Sequence, residues 1–166
     1  MSDAVDEIYA AWQKVRPDVD VSPMHIVARI NRLSQLLERD LAEFFRSYGL
    51  EFWEFDVLAT LRRSGGDTGL TAGALNKAAM RTSGAITNRI DRLTAKGLVA
   101  RVPDPVDRRA IRVQLTPEGR TLVDKLLPLH MANEQRLLAA LTPTHRADLT
   151  TLLRHFSESL GDTTLT

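Results

Sequence analysis

The chain has 166 residues and a formal net charge of +1, is 43% hydrophobic and 26% charged, and contains no cysteine. That length suits one domain with a single sizeable core. Disulfides, thiol redox sensing and thiolate metal ligation are excluded, which fits a reducing cytoplasm. No apolar run approaches the roughly 18–20 residues of a membrane span, and the acidic start MSDAVDEIYA is unlike a signal peptide, so no membrane partner is expected.

The small net charge conceals a division. Residues 1–24 hold five acids against Lys14 and Arg16, a net of −3. Residues 81–112 hold eight bases against Asp91, Asp104 and Asp107, a net of +5. A basic window inside a neutral chain is the pattern of a surface that meets a polyanion, although charge alone does not separate that from a solvated face.

In chain order, Val5, Ile8, Tyr9 and Trp12 at i, i+3, i+4 and i+7 predict an amphipathic helix over 4–16, ended by Pro17. An acidic loop leads to Ser22-Pro23, read as cap and first-turn proline of a long helix over 23–48 that closes at Gly49. Residues 51–64 are apolar nearly all round (Phe52, Trp53, Phe55, Val57, Leu58, Leu61), which predicts a buried helix. Thr71 caps a short helix over 71–79. After a tight turn, a helix over about 82–96 ends at Lys96-Gly97, a basic last turn with glycine just past the end. Two strands, 98–102 and 111–115, flank the polar, proline-rich PDPVDRRA. Thr116-Pro117 opens a helix to about 140 with Pro128 as an expected kink, and Thr142-Pro143 opens the last helix, to about 160. The expected class is mainly α, with seven helices and one two-stranded hairpin.

Helix, tight turn, helix and a hairpin with a basic tip make a winged helix-turn-helix. In such an arrangement the second helix enters the major groove and its first residues meet base edges. Ile86, Ile90 and Leu93 share one face of 82–96. Arg81, Thr82, Ser83 and Gly84 at its start, then Thr87, Asn88 and Arg92, are the expected DNA contacts, being small or hydrogen-bonding where a solvated face would carry Glu and Lys. On the wing tip, Asp107, Arg108 and Arg109 are expected at an adjacent minor groove, where narrow A/T-rich DNA attracts arginine.

The segments LTAGALNKAA and TSGAITNRIDRLTAKGLVARVPDPVDRRAIRVQLTPEGRTLV resemble the multiple antibiotic resistance regulator (MarR) family, from about residue 25 to 160. The most specific part is D-x-x-D-R-R followed by V-x-L-T-x-x-G, carried by Asp104, Asp107, Arg108, Arg109, Val113, Leu115, Thr116 and Gly119. The resemblance implies homodimers joined through N- and C-terminal helices, here 1–48 and 116–166, around a DNA-binding lobe over 51–115. It also implies a palindromic double-stranded operator and, usually, repression. Independently, the leucine stripes of 116–160 offer more apolar face than one small winged domain can cover.

Asp56 sits on the nearly all-apolar helix 51–64, and Arg89 lies beside the Ile86/Leu93 stripe. A buried carboxylate needs a partner, and a guanidinium is a natural one. One reading is a structural Asp56–Arg89 ion pair in a constitutive DNA-binding protein without effector. The other is a pocket where a small anionic ligand competes for the arginine. The added first helix with AAWQKVRPDVDVSP, together with FDVLATLRR and TNRIDRL, resembles the urate-responsive subgroup of the family. That resemblance implies ligand contacts at Trp12, Asp56, Arg89 and Arg101. Urate is a flat anion at neutral pH, suited to indole stacking and guanidinium pairing. Its charge opposite Asp56 could displace the helix and shift the recognition helix.

An enzyme is not expected. His25, His130, His145 and His155 are scattered, with no metal-binding spacing, no glycine-rich phosphate loop and no nucleophile–base pair to be read from the chain. No cofactor and no metal follow from it.

Overall fold

In this computed structural model of the protein, residues 2–79, 86–107 and 109–165 are described. The chain divides into two compact units, Met1–Gly49 and Leu50–Thr166.

The first unit is a pair of helices, α1 (Ala4–Val15) and α2 (Met24–Arg46). Asp3 caps α1 by accepting the N–H groups of Val5 and Asp6 at 2.8 and 3.0 Å, and the Asp6 carboxylate accepts the Asp3 N–H in return. Arg29 of α2 donates to both carboxylates, at 2.8 and 2.6 Å, so one guanidinium joins the start of α1 to α2. Both acids lie below the ordinary carboxylate range, Asp3 through Arg29 first and Asp6 through the Asp3 N–H first. The expected Ser22 cap is not formed. Pro23 holds the cap position without a side-chain bond, and Ser22 contributes its carbonyl to the His25 N–H at 3.0 Å.

The second unit holds α3 (Phe52–Ser64), β1 (Leu70–Thr71), α4 (Ala72–Ala78), α5 (Ile86–Ala95), β2 (Val99–Pro103), β3 (Ile111–Leu115), α6 (Pro117–Leu137) and α7 (Pro143–Ser159). As its all-round apolar pattern requires, α3 runs through the middle: Phe55, Val57, Leu58 and Leu61 are buried. Val57, Leu58 and Leu61 share one core with Leu75 of α4, Ile90 and Leu93 of α5, Val99 and Val113 of the sheet and Val123 of α6. Each such side chain contributes about 1.5–3 kcal/mol on burial. The sheet is antiparallel in the order β1-β3-β2, with Leu70 opposite Val113 and Arg101 opposite the same residue from the other side. The expected hairpin is therefore present and gains a third strand. Two residues are too short for an alternating pattern to register, which is why β1 escapes a reading by periodicity.

The caps expected at Thr71, Thr116 and Thr142 all form, each accepting the N–H three residues on. Past α5, Gly97 takes φ +71 and donates to the Thr94 carbonyl at 2.9 Å, while Leu98 donates to Leu93 at 3.0 Å. This is the left-handed helix ending that glycine favours. Thr116 then hydrogen-bonds the Gly97 carbonyl at 2.7 Å, and a Cβ on Gly119 would lie 2.0 Å from the Leu98 carbonyl oxygen. The L-T-x-x-G motif thus locks the start of α6 onto the end of α5. α6 continues through Pro128 to Leu137, and α7 follows with no buried residue.

Candidate nucleic-acid interface

Recognition by a helix-turn-helix depends on how its second helix is held. α5 buries Ile90 and Leu93, with Ile86 packed against the same core. That leaves Thr87, Asn88 and Asp91 exposed on its other side, as helical spacing predicts for all three. The expected contacts Arg81, Thr82, Ser83 and Gly84, and Arg108 on the wing, lie outside the described residues.

Arg89 and Arg92, one turn apart, both reach back over the indole of Trp53, at 5.1 and 4.8 Å from its centroid. Arg89 is half-buried, as its shoulder position suggested; Arg92 is exposed, yet its guanidinium rests on α3 and does not extend outward. Asp56 is buried, at 8% exposure. In the other unit Trp12 is 46% exposed on α1.

Among the described residues, ion pairs tie α5 to its surroundings. Arg101 of β2 meets Asp91 at 2.6 Å, joining the base of the wing to the recognition helix. Just past α5, Lys96 reaches the fully buried Glu54 of α3 at 2.6 Å, and the same carboxylate oxygen accepts the Glu51 N–H at 2.9 Å. Neither pair is evident from spacing. Glu54 carried one readable signal, being a second carboxylate on the nearly all-apolar helix.

The wing tip is closed by its own backbone. Asp104 donates its N–H to the Ala110 carbonyl, and Ala110 donates to Asp107, both at 2.9 Å. The Asp104 side chain, 6% exposed, accepts the N–H groups of Val106 and Asp107 at 2.8 and 3.0 Å and pairs with Arg112. Those two backbone donors, Asp107 first, and then Arg112 hold its pKa down at about 2. Asp107, expected at DNA, accepts the Arg109 N–H at 3.0 Å and so shapes the tip that carries Arg109.

A two-helix reader with a side-chain-stapled basic wing defines a winged helix-turn-helix DNA-binding protein. A sequence model of the MarR family matches residues 48–110. The chain is 35% identical over 156 residues to the HTH-type transcriptional regulator PecS of Dickeya dadantii, covering 94% of both chains. It is 31% identical over 119 residues to the multiple antibiotic resistance protein MarR of Escherichia coli, covering 72% of this chain and 78% of that one. A crystal structure of an E. coli MarR variant with operator DNA matches with a TM-score of 0.70 at 28% identity, over 93% of this chain and 99% of that chain. The structure of Bordetella bronchiseptica BpsR gives 0.70 at 30%, over 80% and 92%. The chain belongs to the MarR family. It is a DNA-binding transcriptional regulator, and its relatives and fold are those of regulators, not enzymes.

Proposed function

We propose that the protein is a cytoplasmic homodimeric repressor that binds a palindromic operator and leaves it when a flat anion such as urate binds. The segment before α5 (Arg81 to Gly84), with Thr87, Asn88 and, once lifted from Trp53, Arg92, reads the major groove, and Asp107, Arg108 and Arg109 follow the adjacent minor groove. The apolar exposure of α7 and its C-cap, with Leu152 and Leu160 at 67% and 73%, supports pairing with a second copy.

The observation that carries the effector reading is the pair of arginines over Trp53. A guanidinium on an aromatic face keeps most of its appetite for an anion, because cation–π attraction is worth only about 0.5–2 kcal/mol. An anion that draws Arg89 away from Trp53 moves a residue of the recognition helix itself. Trp12, Asp56, Arg89 and Arg101 are the proposed contacts. Among the relatives, the DNA binding of BpsR is regulated by 6-hydroxynicotinic acid, a flat acidic ring of comparable chemistry.

The test is a titration of the DNA upstream of the protein's own gene, with and without urate, xanthine, salicylate or aconitate. Release by one of these, lost in Arg89→Ala when ligand affinity is measured directly by calorimetry, is the expected result. Binding of none of them, to the protein or to its DNA complex, ends the effector reading.

A further inference from the structure

The fork of Arg112 is divided between two parts of the DNA-binding unit. Its Nε pairs with Asp104 at the root of the wing tip, and its Nη1 donates to the Gly69 carbonyl at 3.0 Å. Gly69 sits at φ +73, where a Cβ would lie 2.2 Å from the Val113 carbonyl oxygen, so this corner admits no side chain. Two residues on, Thr71 pairs with Arg112 in the sheet and accepts the Ala74 N–H as the cap of α4. One guanidinium thus links the wing tip, through Asp104, to the strand that starts the helix-turn-helix.

We propose that Arg112, seated by Asp104, is the positioning residue that registers the wing against the helix-turn-helix and so sets discrimination at the operator flanks. The proposal rests on the wing reading the minor groove. A wing that pivots freely still delivers positive charge to phosphates, which carries no sequence information. A wing fixed at one height above the helices puts its arginines at one depth and one base-pair step, and so discriminates groove width. The divided fork needs the planar geometry of arginine. Lysine keeps the charge as a single point and cannot hold both acceptors in the same way.

The test uses a palindromic duplex selected from a randomised library by the native protein. Its A·T flanks are then changed to G·C, or one base pair is changed in the half-site core, and affinities are measured at fixed salt. The native protein is expected to discriminate both changes by about tenfold. Arg112→Lys and the nearly isosteric Asp104→Asn are expected to bring flank discrimination to within about twofold and to leave core discrimination intact. Arg109→Ala serves as the control for the wing itself. Flank discrimination kept by both variants but lost in Arg109→Ala overturns the registering role while leaving the wing reading in place. Equal loss at flank and core overturns it too, since that is general loosening. Flank discrimination absent in the native protein or unaffected by Arg109→Ala removes the wing reading, and this proposal with it.

Discussion

The guanidinium of Arg101, in the first strand of the wing, meets the Asp91 carboxylate of the recognition helix at 2.6 Å. Both side chains are partly exposed, 37% and 59%, so the pair contributes about 0.2–1 kcal/mol to stability. Its consequence is competition. If Arg101 holds an effector anion, Asp91 already occupies that place. Asp91→Asn is therefore expected to raise urate affinity about two- to fivefold, read by calorimetry. Unchanged binding would remove Arg101 from the ligand contacts.

Trp53 supports two arginines of the recognition helix at once. Trp53→Ala is expected to cost about 2–4 kcal/mol, combining lost packing with two cation–π contacts, and to weaken operator binding. Trp53→Phe keeps a weaker aromatic face and is expected to fall between. A phenylalanine variant as poor as alanine in DNA binding would show that indole shape, not the aromatic face, is what matters.

The Lys96–Glu54 pair is asymmetric, since Glu54 is fully buried and Lys96 is 37% exposed. Removing the cation leaves a carboxylate in the core. Lys96→Met is expected to lose about 2–3 kcal/mol in urea unfolding, with the Glu54→Gln/Lys96→Met double variant recovering part of it. Additive losses in the double variant would contradict the pairing.

Gly119→Ala puts a methyl group against the Leu98 carbonyl, where no flexible side chain can give way. A loss of about 1–3 kcal/mol is expected. Wild-type stability would mean that α6 can start from another position on the sheet.

His130 is buried against the ring of Phe55, at 5.4 Å between centroids, with Glu134 3.2 Å from its Nε2. Burial pushes its pKa below the usual histidine value, and Glu134 pulls partly the other way. In this window the unfolded chain binds more protons than the folded one. Stability is expected to fall as pH drops below about 6.5, by at most about 1.4 kcal/mol per pH unit for one group. His130→Gln should flatten that decline in urea titrations between pH 7 and 5; an identical slope would place its origin elsewhere.

The helices were legible because their apolar residues recur at the helical period and their ends carry Thr-Pro and glycine signals. The wing was legible because DPVDRR breaks both periods between two β-branched runs. What the sequence hid were partners. Glu54 and Lys96 are 42 positions apart and Arg112 and Gly69 are 43, and no local pattern encodes a contact across such a distance. The Asp56–Arg89 pairing was argued from cost alone. That Arg89 also lies over the Trp53 ring was not legible, because burial arguments that consider only carboxylates overlook aromatic faces. Asp104 stood out as part of a motif, but its work for the turn emerges only when the backbone donors of Val106 and Asp107 converge on it.

α7 is a 17-residue helix without a single buried residue. A helix of that length is marginal in water by itself, and in the proposed homodimer its order is supplied by the second copy. In a homodimer, folding of this segment becomes a matter of mass action, and the melting temperature rises with protein concentration. Dilution then acts like a ligand of opposite sign.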